Sequence, residues 1–520
     1  MRILRERKNW LTHLTVTSVI LFFFMACSKP ASTPADTLVV EMETPISTFN
    51  PLYTMDTNSQ HVNELMHASL VVMSPQLTPE PYLAESFKSE NDTTISFKLR
   101  KGCKFENGKE ITARDVEKSI AAYLDPKFES SFAKSSFERI KRVEVVDDYS
   151  FKIVTDKPTP SLLTDLELLK VIQLEGADLA SKPKSLPGAG PYRLTDYGTS
   201  EYLLERTGQP CLPQPKLPKI LVRVVRDDLS RFLKLKRGEL DIVLNDMNYR
   251  KVSMVMNDPT LPMSALAINS ASYAYMGVNQ NKENLRDPRV RRALALSFDI
   301  PTLIKYKNRG LGKPARNMLA DMNAYANLNI PLKTRNLEEA RRLLDEAGYS
   351  NGSNGKPPLK VTLKTSASMI AVENARVLTA QAKEAGIQLT HKAYDWGIFF
   401  ADVKAGNSEL YTLSWTGVTD PHLYYELFHS SQIGRNNRTR YSNPEMDKLI
   451  EQGDATLDVA KRTVIYNKVQ ELAANDLPFI SLWHPMNTAV FRKNVKGVTL
   501  HPMGTWRVIL AMSKEAELPQ

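Results

Sequence analysis

Eight histidines and 58 Asp and Glu residues are the side chains of this 520-residue chain that could do acid, base or metal chemistry, and its three cysteines could supply thiolates. Their spacing supports none of these. His422 and His429 stand about two helical turns apart and could share a helix face. Two ligands alone do not make a zinc centre, which uses three or four, so no metal site is expected. His391 falls on the alternating face of Ile387, Leu389 and Ala393, where a partly buried, hydrogen-bonded histidine is expected. Arg435, Arg438 and Arg440 surround Asn436-Asn437 with the composition of an anion site, and a solvated loop is the expectation. HExxH, the phosphate-cradling GxxxxGK[ST] and GxGxxG are missing. Gly188-Ala-Gly190-Pro191-Tyr192 is too short for a dinucleotide loop and reads as a tight turn. Gly310-Leu-Gly312-Lys313 lacks the hydroxyl residue of a phosphate cradle. Neither catalysis nor a cofactor is expected.

Composition narrows the class. With 42% hydrophobic residues the chain has enough apolar content for two or three domains, which excludes disorder as its main state. A mean hydropathy of −0.32 argues against a polytopic membrane protein. No CxxC pair occurs, so a cysteine-based zinc framework and a disulfide scaffold are excluded. The formal charge of +10 is mild for this length and gives no reason to expect a nucleic-acid partner.

The first 27 residues read as an address. Arg2, Arg5, Arg7 and Lys8 precede the apolar run Leu14–Ala26, the pattern of a secretory signal. Phe24-Met25-Ala26-Cys27 resembles a bacterial lipobox, with Phe24 where leucine is commoner. Cys27 would then be acylated, each buried methylene adding roughly 0.8 kcal/mol of membrane binding. Residues 28–36 are small, polar and Pro-containing, as suits a tether. The expected location is the periplasmic or cell-surface face of a bacterial membrane.

The rest alternates strands and helices. Thr37–Glu43 reads as a buried strand and Thr93–Leu99 as a half-buried one. Asn107-Gly108 predicts a hairpin, and Thr112 with Asp115 predicts a capped helix through Val116, Ile120 and Tyr123. Asp287-Pro288 opens another helix, as does Asn336 with Glu339. Leu359–Leu363, a helix near Ala371–Ala385 and Ile387–Leu389 make a βαβ unit with parallel strands. A late helix near Ala460–Ala474 leads into Phe479–Trp483. The class is α/β.

Several segments carry a resemblance: Leu83–Phe87, Ile95–Phe105, Gly108–Val116, Gly188–Arg193, Gly238–Ile242, Asp287–Leu294, Asn336–Tyr349 and Tyr441–Asp447. In this order they resemble the solute-binding proteins of ABC importers, family 5, which includes dipeptide- and oligopeptide-binding proteins. The resemblance implies a two-lobed periplasmic-binding-protein fold, type II, in its large variant. Lobe I would take residues 37–61, 185–273 and 485–520, with an extra subdomain over 62–184, and lobe II would take 274–484. The chain would cross near 273–275 and 482–486, giving a hinge. A monomer without metal or cofactor would close over a small peptide and be recognised, closed, by an ABC permease. Relatives of this type also take nickel or haem chelates, opines or sugars, and a tethered sensor or cell-wall-binding protein on the same fold is the other alternative.

The resemblance also implies site residues. Trp396 and Trp415 stand where the family places aromatic residues near the ligand, with core packing as the alternative. Tyr275 and Asn50-Pro51 fall on segments that face the cleft in relatives. Peptide-binding relatives commonly hold the ligand's α-ammonium with an aspartate three residues after the tryptophan matching Trp415. Here that position is Val418, so Asp420 is the candidate for the positive end; alternatively it opens the turn before Pro421 and caps the helix from His422. Cys103 and Cys211 are expected to be free thiols, Cys103 as a small buried hydrophobe.

Overall fold

The computed structural model describes residues 33–126, 136–176, 184–350 and 356–515. The basic start, the apolar run and Cys27 lie outside the described residues. Among those described, no helix is long and apolar enough to cross a membrane.

Three sheets organise the chain. In the seven-stranded sheet, Thr37–Met42 lies parallel to Lys219–Val224 on one side and to Ile242–Leu244 on the other. Glu201–Arg206 and Tyr192–Tyr197 extend one edge; Met486–Arg492 and Met263–Asn269 extend the other, all antiparallel. Thr37–Met42 is buried along its whole length because both faces are covered. Leu38, Val40 and Met42 enter one core, and Val39 enters a second beneath helices Asp228–Arg237 and Tyr249–Asn257.

The six-stranded sheet runs Lys313–Pro314, Phe479–His484, Tyr273–Val278, Leu410–Trp415, Lys360–Ser366, Gln388–Tyr394. Its βαβ unit forms as expected: Lys360–Ser366 pairs in parallel with Gln388–Tyr394 across helix Met369–Glu384. That helix buries Ala375, Leu378 and Ala382 on one face of the sheet, whereas helix Trp396–Ala405 buries Phe399 and Val403 on the other. The chain leaves the first sheet after Asn269 and enters the second at Tyr273; it returns between His484 and Met486. The first sheet with its helices is lobe I and the second is lobe II.

A four-stranded antiparallel sheet, Ala84–Asn91, Thr94–Leu99, Ser150–Thr155, Ile140–Val145, forms the extra subdomain with helix Ala113–Leu124. The predicted capping box is present, with Thr112 and Asp115 satisfying each other's backbone N–H groups, and Val116, Ile120 and Tyr123 are buried. Asn107-Gly108 makes its turn, Gly108 at φ 87° donating to the Phe105 carbonyl. Its flanks form one bridge, Lys104 to Glu110, in place of the expected ladder, because Cys103, Phe105 and Ile111 turn into the core.

The cysteine expectation is overturned. Cys103 and Cys211 form a disulfide that spans 108 residues, with Cα atoms 5.1 Å apart. The Pro-rich loop carrying Cys211 reaches Cys103 because Gln209 grips both backbone groups of Lys104: Oε1 accepts from its N–H at 2.9 Å and Nε2 donates to its carbonyl. The bridge pins the extra subdomain to lobe I.

Candidate ligand-binding site

Lobe II reverses its strand order beside Lys360–Ser366. The chain moves outward to Gln388–Tyr394, then crosses back to place Leu410–Trp415 on the other side, again parallel. Open α/β sheets bind ligands in the crevice at the carboxyl ends of such strands. Lobe I has the same device around Thr37–Met42, flanked by the parallel strands Lys219–Val224 and Ile242–Leu244. The register aims both crevices at the crossings. Trp415 faces Tyr273, the first residue after the first crossing, and Leu244 faces Ala489, just after the second.

Lobe II gathers aromatic side chains at and beneath this end of its sheet. Trp396 opens its helix and is 58% exposed, stacked on Phe400 with ring centroids 5.2 Å apart. Trp415 ends its strand half-buried, its side chain beside the Tyr275 hydroxyl. Tyr275 is buried, stacked on Tyr273 and Phe479, and burial pushes its hydroxyl up to about 12 against the nearby Arg438. Asn50 lies in lobe I, fully buried, where its Oδ1 accepts from Leu52 N at 3.0 Å to start a short helical turn.

Lobe I brings carboxylates that the sequence reading passed over. Glu43 follows the central strand, and its N–H donates to Asp246 Oδ2 at 3.2 Å. Burial raises both carboxyls, with Arg231 opposing. Acids placed directly after two parallel strands were the available signal, but only the strand pairing shows that they meet.

Asp420 departs from its expected role. Arg462, 1% exposed, binds it through two nitrogens at 2.6 and 2.8 Å, and His422 N–H donates to Oδ1 at 2.7 Å. Both oxygens are engaged and the charge is matched, so an incoming ammonium would meet a neutralised pair. The turn-forming alternative describes what the structure contains. Val418 occupies the family's aspartate position, but it is buried and its N–H donates to the Ala271 carbonyl, leaving no place for a charge.

Around this pair the extra subdomain meets lobe II. Arg139 reaches Asp454 at 3.0 Å and lies over the Tyr425 ring. Asp454 also takes His422 Nδ1 at 2.7 Å and the Tyr466 hydroxyl at 2.6 Å. Burial would raise the Asp454 carboxyl, but His422, Arg139 and Tyr466 outweigh it and hold it at about 2. Burial would depress His422, and Asp454 outweighs that, raising the imidazole. Across the same contact, burial raises Asp165 to about 7, with Asp420 adding repulsion and His422 and Arg139 opposing. His429 does not join His422 on a metal: Tyr425 packs against both rings, and His429 pairs with Ser431. Among the described residues no cluster of three or more His, Cys, Asp or Glu is placed to hold an ion. His391 is the partly buried histidine expected, bonded to Thr365 Oγ1 at 2.9 Å. Gly348-Tyr349-Ser350-Asn351-Gly352 has the letters of a nucleophile elbow, but it follows helix Leu337–Glu346, whereas an elbow needs a strand before it.

The comparisons fit this architecture. Residues 78–436 match the bacterial extracellular solute-binding proteins, family 5 Middle. The chain belongs to that family. Among relatives, the oligopeptide-binding protein AppA of Bacillus subtilis is 26% identical over 537 aligned positions, covering 96% of this chain and 97% of AppA. Heme-binding protein A of Haemophilus influenzae is 28% identical over 454, covering 82% of each. In structure the chain is similar to NikZ of Campylobacter jejuni in complex with Ni(L-His), with a TM-score of 0.82 at 23% identity, covering 93% of this chain and 100% of NikZ.

Proposed function

We propose that this family 5 protein is the lipid-anchored, extracytoplasmic receptor of an ABC importer and that its solute is a small peptide. The observation that carries the reading is the pair of order-reversal crevices, one per lobe, both aimed at the chain crossings. A solute bridging them touches both walls only when the lobes are together, so it shifts the population toward the closed form that a permease would recognise. Trp396 and Trp415, backed by the buried Tyr275, give lobe II an apolar wall with polar tips, suited to side chains of varied shape. Glu43 and Asp246 give lobe I an anionic wall, suited to a ligand ammonium. The peptide preference draws support from AppA and from a Helicobacter pylori DppA solved with the peptide STSA, which is 23% identical to this chain with a TM-score of 0.81. The protein acts as a monomer, tethered through acylated Cys27.

Native mass spectrometry of the detergent-extracted protein tests both parts. The expected spectrum shows acyl mass on Cys27, absent in Cys27→Ser, and a bound species whose fragments are amino-acid residues. A bound metal chelate or tetrapyrrole would replace the peptide reading, and an unmodified N-terminal segment would remove the anchor.

A further inference from the structure

The residues that lead into the central strand of lobe I are clamped to it. Residues 33–36 precede strand Thr37–Met42, and the Thr37 N–H closes a turn by donating to the Pro34 carbonyl at 3.2 Å. Lys514 reaches across this turn from a C-terminal ribbon, in which Ser513–Lys514 pairs with Val495–Lys496. Its Nζ donates to Thr33 Oγ1 at 2.7 Å and to the Pro34 and Thr37 carbonyls at 2.8 and 2.9 Å. Asp241 completes the clamp. Its Oδ2 accepts from Lys514 Nζ at 3.0 Å and from Val39 N at 2.8 Å, while Oδ1 accepts from Thr33 Oγ1 at 2.7 Å. The two charged side chains are 2% and 0% exposed.

A buried ion pair seldom stabilises more than an apolar pair of the same volume, and its best-attested use is to fix register. This pair fixes where the chain enters lobe I. The clamp sits at the amino end of the sheet: Thr37 starts the central strand beside Lys219, and Asp241 immediately precedes the parallel strand Ile242–Leu244. The crevice proposed above lies at the carboxyl end, a strand length of about 17–20 Å away. Chain length does the rest. Fully extended, the chain from Cys27 to Thr33 reaches about 20 Å at most. Laying the carboxyl end of the sheet on a bilayer would draw all of that reach straight along the flank of lobe I, whereas the amino end needs none of it.

We propose that the amino end of the lobe I sheet is a membrane-facing surface, kept against lipid headgroups because the Lys514–Asp241 clamp leaves only a short leash to acylated Cys27. The proposal rests on the lipid anchor argued above and adds an orientation to it. The crevice then stands off the bilayer and opens to solute arriving from outside.

The test uses the full acylated chain in phosphatidylcholine vesicles that carry a headgroup quencher, so that surface charge plays little part. A fluorophore is placed through Lys493→Cys, exposed at the amino end, or through Arg226→Cys, exposed just past strand Lys219–Val224 at the carboxyl end. The 493 label should be quenched at least about threefold more than the 226 label. A Gly/Ser insertion of roughly twenty residues after Ser32 leaves the clamp intact and lengthens the leash severalfold; it should bring the ratio near one. Lys514→Met, which frees residues 33–36 and adds about 14 Å of reach, should lower the ratio part-way. Equal quenching of both labels on membrane-bound protein would overturn the orientation and leave the anchor standing, as would a ratio that survives the insertion. Protein that stays off the vesicles, unquenched at either position, would overturn the anchor and the orientation together. Self-quenching of the 493 label without quenching by lipid would give this face to a second copy of the chain instead.

Discussion

Alkylation of the unfolded, unreduced protein should modify neither Cys103 nor Cys211, and reduction should expose both while lowering Tm by roughly 5 °C. The magnitude follows from chain entropy. The bridge closes 108 residues, and cross-linking a loop of about 100 residues removes up to about 4.7 kcal/mol of denatured-state freedom. The location of the loss is equally specific, because the bridge joins the extra subdomain to the lobe I loop and leaves lobe II untouched. Hydrogen exchange after reduction should therefore rise first around residues 99–111 and 207–214. Two free thiols in the unreduced protein, or an unchanged Tm after reduction, would contradict the assignment. An oxidised cysteine pair also accords with folding outside the reducing cytoplasm.

Asp420→Ala should destabilise the protein by about 3–5 kcal/mol while leaving the affinity of the surviving folded fraction within about twofold. Removing the carboxylate strands Arg462, 1% exposed, among Tyr325 and Tyr466 without a counter-ion. Pairing the change with Arg462→Met should recover most of the loss, since no charge is then stranded. Affinity that collapses at unchanged Tm would restore Asp420 as the holder of a ligand ammonium. The same region sets a pH limit. Asp454 sits below its unfolded value, so its contribution is full above about pH 4 and fades as pH falls toward 2.

Much of the fold was legible because its signals are local. Thr112 with Asp115, Asp287-Pro288 and the strand–helix–strand pattern of 359–389 each specify an element through neighbours in sequence, and the structure contains them. What failed to show was long-range. Cys103 finds Cys211 only after a Pro-rich loop folds onto Lys104. Asp420 reads as an available charge until helix Val459–Asp476 delivers Arg462 to it. Arg438 reads as solvated until Asn437 turns its loop inward. Trp396 and Trp415 were candidates through the resemblance alone, whereas Glu43 and Asp246 become neighbours only through the pairing of strands about 200 residues apart.

Small-angle scattering reads out whether one solute, held between the lobes, closes them. Protein stripped by partial unfolding and refolding should show a larger radius of gyration than the protein as purified. Adding back the extracted native solute should restore the smaller value, with half-saturation matching the calorimetric Kd. A radius that stays the same through stripping and re-addition, while calorimetry still reports binding, would contradict capture between the lobes.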